Sequence, residues 1–249
     1  MKTLRAVWRL LRFLAALAWY ATPLWIRAAR GPIDWHHHQA VRQRFCQAAM
    51  GILGVELEWE GAPYREGACV YASNHRSWLD PFAQMAVLWA FPVAKADVAK
   101  LPIVAHGARA TGILFVDRGD RKSRGAVIEQ MVAAIREGNS ILIYPEGTTS
   151  ADAGTIAFHR GAFLVTEQAG CPLVPLTIAY ADPELYWAEG ESLWANFVDI
   201  AGRRRTRVRL HIGEPRRVAD AAVAMGETRA AIDAEIERLA RATLPQPAA

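Results

Sequence analysis

The chain has few cysteines, no acidic residue in its first 33 positions, and only a short uncharged run near its N-terminus. Cys46, Cys69 and Cys171 are widely spaced in apolar neighbourhoods. That excludes a CxxC metal pattern and a disulfide framework, and marks them as reduced core residues of a cytosol-facing protein. There is no internal repeat, low-complexity tract or long linker, and only the tail "LPQPAA" reads as loose. What remains is 249 residues, 52% hydrophobic, enough for one sizeable core with at most a small accessory element. The net charge of +4 is unevenly placed: Lys2, Arg5, Arg9, Arg12, Arg27 and Arg30 make the start of the chain basic as well as apolar.

From Phe13 to Ile26 fourteen residues carry no charge. As a helix they reach about 21 Å, against a bilayer hydrocarbon core of about 30 Å. Pro23 is expected to bend or end that helix. Arg5, Arg9 and Arg12 share one helical face while Val7, Leu11, Leu14 and Ala18 occupy another, and Trp8, Trp19, Tyr20 and Trp25 suit the headgroup level. The pattern is that of an interfacial helix, with the arginines at anionic headgroups. A cleaved signal peptide competes with this reading, but Arg9 and Arg12 crowd the apolar run and no small-residue cleavage site follows. A second helix starts at the N-cap Asp34, with Trp35, His38, Val41, Phe45, Ala48 and Ile52 on one side, and the two helices form a hairpin over residues 1–54. "HHH" at 36–38 points three ways at about 100° per residue, so no metal site is expected there.

Residues 55–249 read as an α/β domain with a mixed central sheet flanked by helices. Strands are expected at "ACVYAS" (68–73), "GILFVD" (112–117), "SILIYP" (140–145), "LVPLTIAY" (173–180) and "TRVRLHIG" (206–213). Helices are expected at 81–90, 123–137, 159–169 and 226–241.

Within this frame "NHRSWLDP" (74–81) sets a histidine and an aspartate five positions apart, about 140° from each other on a helix. A turn between strand and helix, with Asp80 as cap and Pro81 in the first helical turn, lets the carboxylate fold back on the imidazole of His75. Such a carboxylate fixes the tautomer and leaves the other ring nitrogen as a base. The bland alternative is a capping aspartate beside an ordinary loop histidine. Two more strand exits are polar: "LFVDRGDRKSRG", with Asp117 and Arg118, and "LIYPEGTTS", with Glu146, Gly147, Thr148 and Thr149. Ligands of α/β sheets bind at the carboxyl ends of strands, so the three exits point to one site.

"NHRSWLDP", "GILFVDR", "YPEGTTS" and "LVPLTI", in this order over residues 70–180, resemble the lysophosphatidic acid acyltransferase family of membrane glycerolipid acyltransferases. The resemblance implies transfer of a fatty acyl group from acyl-CoA or acyl-carrier protein to the free hydroxyl of a lyso-lipid, first of all 1-acylglycerol 3-phosphate, giving phosphatidic acid. It implies His75 as base and Asp80 as its orienting partner. Phe115 and Arg118 would lie in the acceptor-binding block, Glu146, Gly147 and Thr148 in the third block, and Val174 and Pro175 along a lipid channel. No cofactor is implied, since the thioester is a substrate. Partners are the phospholipid membrane, the lyso-lipid and the acyl donor, with no nucleic acid; the location is the inner membrane, monotopic on its cytoplasmic face.

The chain departs from the family at Thr149, where arginine is usual; one hydroxyl replaces a forked set of phosphate donors, which opens the acceptor to other lyso-lipids such as lyso-ornithine lipid. A thioester needs only deprotonation of the alcohol and donors for the oxyanion, so neither Ser77 nor a cysteine is required as nucleophile. Backbone amides at 76–78 or near Gly147 are the candidate donors. A non-enzymatic basic module is the rival from another class, because Arg203, Arg204, Arg205, Arg207, Arg209, Arg216 and Arg217 cluster; a docking face for anionic lipid or a carrier protein lies between the two readings. A hydrolase using the same histidine and aspartate is a third.

Overall fold

The computed structural model of the protein describes residues 1–97, 110–117, 119–188 and 190–241. Two long helices, α1 (Lys2–Arg30) and α2 (Trp35–Leu53), precede β1 (Val55–Glu60), β2 (Val70–Ser73), α3 (Asp80–Met85), β3 (Phe91–Lys95), β4 (Leu114–Val116) and α4 (Arg121–Arg136). There follow β5 (Ile141–Ile143), α5 (Gly161–Ala169), β6 (Leu173–Tyr180), a 3₁₀ turn at Pro183–Leu185, α6 (Leu193–Ala201), β7 (Thr206–Ile212) and α7 (Ala221–Arg241). The strands form one sheet in the order β1-β7-β6-β2-β5-β3-β4. All neighbours are parallel except β6 and β7, so β6, β2, β5, β3 and β4 present their carboxyl ends along one edge.

The alternation of side chains along β2 shows how the sheet divides the core. Cys69 and Tyr71 face one cluster with residues of α1, α2, α3 and α6, while Val70 and Ala72 face another with residues of α4, α5 and α7. Local signals set the helix ends. Asp34 accepts from the amide of His37 at 3.1 Å and Asp120 from those of Lys122 and Ser123, while Gly54 and Gly170 take left-handed conformations after α2 and α5.

The mixed sheet flanked by helices, the helix-capping Asp34 and the five expected strands are all present, with strand ends shifted by one or two residues. Several expectations are corrected. α1 runs unbroken through Pro23, because the proline deletes only one intrahelical hydrogen bond while Leu24, 2% exposed, is held in the interior. The buried face of α2 runs through His38, Gln39, Arg42, Phe45, Cys46, Ala49, Met50 and Leu53, because Arg42 turns inward to donate to the carbonyls of Ala90 and Thr111. Asp80 is the first helical residue and Leu79 the cap, so the carboxylate is free to turn away from α3. The strands β1 and β3 and the helix α6 are additional to those expected from the sequence.

Arg5 and Arg9 do not face headgroups. Arg5 donates to the carbonyl of Gly202 at 2.8 Å, and Arg9 to those of Ala201, Arg203 and Arg204 at 3.0, 2.7 and 3.1 Å. They satisfy carbonyls at the C-terminal end of α6, where a cation is favoured by the helix dipole. With them turned inward, the outer face of α1 carries Leu4, Val7, Trp8, Leu11, Leu14, Trp19, Trp25 and Ile26, all exposed. Among the described residues no helix is long and apolar enough to cross a membrane.

Candidate active site

At the exit of β2 the chain turns so that His75 and Asp80 meet, the imidazole Nδ1 lying 2.8 Å from Asp80 Oδ2. The same oxygen accepts the backbone amides of Arg76 at 2.5 Å and Ser77 at 2.9 Å, and Oδ1 accepts the hydroxyl of Tyr180 at 2.6 Å. A fully buried carboxylate thus takes four donors, the arrangement that offsets its desolvation and fixes its place. It organises the turn as well as the imidazole. The amides of Arg76 and Ser77 are therefore not free to serve an oxyanion, nor is that of Gly147, which donates to the Tyr144 carbonyl at 3.0 Å.

His75 is otherwise held by packing. Its ring lies 4.0 Å from that of Tyr144, nearly parallel at 17°. Tyr144 donates to Gln84 at 2.7 Å, and Gln84 donates to Ser73 at 2.7 Å, so α3 links the ends of β5 and β2. Asn74 joins β2 to β6 by exchanging two hydrogen bonds with the backbone of Ile178, at 2.8 and 2.9 Å. Burial, followed by the nearby charge of Asp80, pushes the phenols of Tyr144 and Tyr180 up, so both stay protonated at neutral pH. Arg76 is fully buried; it donates to the carbonyls of Ser150 at 3.0 Å and Gly154 at 2.9 Å, and its guanidinium carbon lies 5.1 Å from the Tyr186 ring centre.

The exit of β5 stands beside this turn, with the Ser150 amide donating to the His75 carbonyl at 3.1 Å. Glu146 is 2% exposed and neither of its oxygens has a hydrogen-bond partner. Burial pushes its carboxyl up to about 8, and the negative charges of Asp80 and Asp233 add to this. The Arg76 guanidinium pulls the other way, as does the His75 amide, which lies nearby outside hydrogen-bond geometry. Gly147 has φ +76°, and a Cβ there would come within 2.9 Å of the His159 ring, so both backbone and space require glycine. Thr148 and Thr149 follow, half-buried.

The structure thus brings together His75, Asp80, Glu146, Gly147, Thr148 and Thr149. Phe115 lies on β4, at the same sheet edge but three strands from β2, about 14 Å at the usual strand spacing; Arg118 lies outside the described residues. Val174 is 1% exposed and Pro175 is buried, both inside β6, where they pack the core. The basic cluster is largely neutralised on the spot. Arg203 pairs with Asp182, Arg205 and Arg207 with Glu56, and Arg209 with Glu58, across β1, β7 and the 3₁₀ turn. His36, His37 and His38 turn respectively to Trp89, Arg27 and the Ala110 carbonyl. Among the described residues no group of three or more His, Cys, Asp or Glu side chains is placed to hold a metal ion. The three cysteines are buried and free, and burial pushes their thiols up, Cys171 to about 11. Tyr144, Tyr180 and Arg76 escaped the sequence reading. Tyr180 ends β6 and Tyr144 directly follows β5, both at the carboxyl edge of the sheet where α/β folds bind ligands, the signal that could have found them.

A strand-edge histidine oriented by a buried carboxylate is equipped to act as a base, and a model of the acyltransferase family matches residues 55–179. The chain belongs to the acyltransferase family. It is similar to the lyso-ornithine lipid O-acyltransferase of Rhodobacter capsulatus, 31% identical over 180 residues, 69% of this chain and 64% of that one. It is also similar to the chloroplastic 1-acyl-sn-glycerol-3-phosphate acyltransferase BAT2 of Brassica napus, 28% identical over 120 residues, 48% of this chain and 35% of that one. The same holds for the 1-acyl-sn-glycerol-3-phosphate acyltransferase of Neisseria gonorrhoeae, 26% identical over 137 residues, 55% of this chain and 54% of that one. The chain therefore spans less than two thirds of the length of these relatives. The crystal structure of the 1-acyl-sn-glycerophosphate (LPA) acyltransferase PlsC from Thermotoga maritima shares the fold, with a TM-score of 0.76 at 18% identity over 96% of this chain and 98% of that one.

Proposed function

We propose that the protein transfers a fatty acyl group from an acyl-CoA or acyl-carrier-protein thioester to the free hydroxyl of a lyso-lipid, with 1-acylglycerol 3-phosphate as acceptor. The observation that carries this is the 2.8 Å contact between His75 Nδ1 and a carboxylate held by three further donors. With Nδ1–H donated to Asp80, Nε2 is the base. It takes the proton of the acceptor hydroxyl as that oxygen bonds to the thioester carbon; the C–S bond then breaks, and the imidazolium returns the proton to the departing thiolate. Glu146, Gly147, Thr148 and Thr149 form the acceptor side of the site, and Phe115 and Arg118 also contribute to acceptor recognition. The reaction takes place at a membrane surface, where the exposed apolar side chains of α1 rest in one leaflet on the cytoplasmic side. Thr149 supports a second reading, in which lyso-ornithine lipid is the acceptor, because a threonine offers phosphate one donor where arginine offers a fork.

The test is a purified protein given labelled acyl-CoA or acyl-carrier protein and a panel of lyso-lipids, with His75→Ala alongside. Diacyl product from the wild type, reduced about 100-fold or more in the variant, is expected. Free fatty acid without diacyl lipid would assign a hydrolase instead.

A further inference from the structure

Thr155 lies seven residues beyond Thr148 and is 7% exposed. Its three polar groups are all taken by two side chains of α7. The amide donates to Asp233 Oδ1 at 2.7 Å, the carbonyl accepts from Arg229 Nη2 at 2.9 Å, and the hydroxyl accepts from Arg229 Nε at 3.1 Å. Arg229 and Asp233 are one turn apart and 3.8 Å from each other, which orients both. On the other side of the same segment, Arg76 holds the carbonyls of Ser150 and Gly154. Gly154 runs so close to α7 that a Cβ on it would lie 3.3 Å from Asp233 Oδ1. A continuous set of contacts therefore leads from α7 through Thr155 and Gly154 to Arg76, whose amide donates to the carboxylate that orients His75.

We infer that α7, which lies outside the region matched by the family, is a clamp on the acceptor side of the site. In it Arg229 and Asp233 are positioning residues that fix residues 150–155 against Arg76 and Glu146. The inference rests on the acyl-transfer reading for what the clamp serves. Neither residue is there to hold α7 itself. Their side chains are 46% and 36% exposed, while Thr228, Ile232, Ile236 and Leu239 are buried and anchor the helix. The segment they hold has no helix or strand of its own, so its place depends on such side-chain bonds. Asp233 also stands near enough to Glu146 for its charge to favour the protonated carboxyl.

The experiment uses the full chain with Arg229→Ala, Asp233→Ala and Asp233→Asn, assayed with 1-acylglycerol 3-phosphate in detergent micelles and an acyl-CoA. Backbone amide exchange is measured in parallel. Both alanine variants are expected to raise the acceptor KM about tenfold with the donor KM unchanged, as loss of a charge-assisted hydrogen bond implies. Asp233→Asn should stay near wild type, because its amide oxygen still accepts from Thr155. Amides of residues 150–155 should exchange faster in both alanine variants, with β2 and β5 unchanged. A fall in kcat that merely follows a lower Tm, both KM values holding, would overturn the clamp. If the wild type forms no diacyl product with any lyso-lipid of the panel, the acyl-transfer reading fails and exchange alone decides: faster exchange at 150–155 upholds the clamp, and equal protection overturns it.

Discussion

Asp80 and Glu146 follow neighbouring parallel strands, and their surroundings are opposite. Asp80 accepts four hydrogen bonds, whereas neither oxygen of Glu146 accepts any. Both are shielded from water, so the difference lies in the donors that each turn supplies. The β2 turn aims two backbone amides and an imidazole at one carboxylate, Tyr180 at the end of β6 adds a phenol, and together they hold it in place. The β5 turn aims none at Glu146, and burial lifts its carboxyl to about 8, leaving it mainly protonated at neutral pH. Two acids counted alike in the formal charge therefore serve differently, one as an acceptor that orients, the other as a carboxyl able to donate.

The sharpest way to break this contrast is Asp80→Asn, which puts an amide NH₂ where four donors converge. Turnover is expected to fall by about 10²–10⁴-fold, through the wrong imidazole tautomer, with the secondary structure kept. A loss below about tenfold in a steady-state assay would remove Asp80 from the orienting role. Glu146→Gln addresses the other side. A carboxyl raised in the folded state adds stability that is fully present below its unfolded pKa of about 4.3 and is lost as pH rises through about 8. Wild-type Tm should therefore fall between pH 5 and 8 relative to that of the glutamine variant, and parallel curves would show the carboxyl to be unshifted. The smallest expected effect is that of Thr149→Arg, a shift of preference toward 1-acylglycerol 3-phosphate within a lyso-lipid panel. An unchanged panel would mean that position 149 does not read the headgroup.

What was legible in the sequence depended on how far away the deciding partner stood. The His75–Asp80 contact closes over five positions and was readable. Tyr180, which completes the carboxylate's shell from 100 positions away, was not. Arg5, Arg9 and Arg12 look like a headgroup-facing stripe as long as the carbonyls of residues 201–204 are unseen. β1 hides behind Glu56, Glu58 and Glu60, whose charges make sense once Arg205, Arg207 and Arg209 at β7 lie beside the first two and Arg238 of α7 beside the third. β3 contains Pro92, which argues against a strand, and it meets β5 only through Phe91 and Pro92. The burial of Glu146, and with it the site's charge, comes from the assembled layers and has no local signature.

The bonds from Arg9 to the far end of α6 have a consequence for the order in which the molecule is made. They join positions 192 to 195 residues apart, so α1 leaves the ribosome long before the carbonyls that will hold it exist. At about 5–20 residues per second the interval is about 10–40 s. Throughout it, Arg5 and Arg9 are as free as Arg12, and the nascent helix shows a lipid surface both its arginines and its tryptophans. On the proposed seating of α1 in a leaflet, attachment begins with a more basic helix than the finished protein displays, and completion of α6 then withdraws two of those charges from the surface.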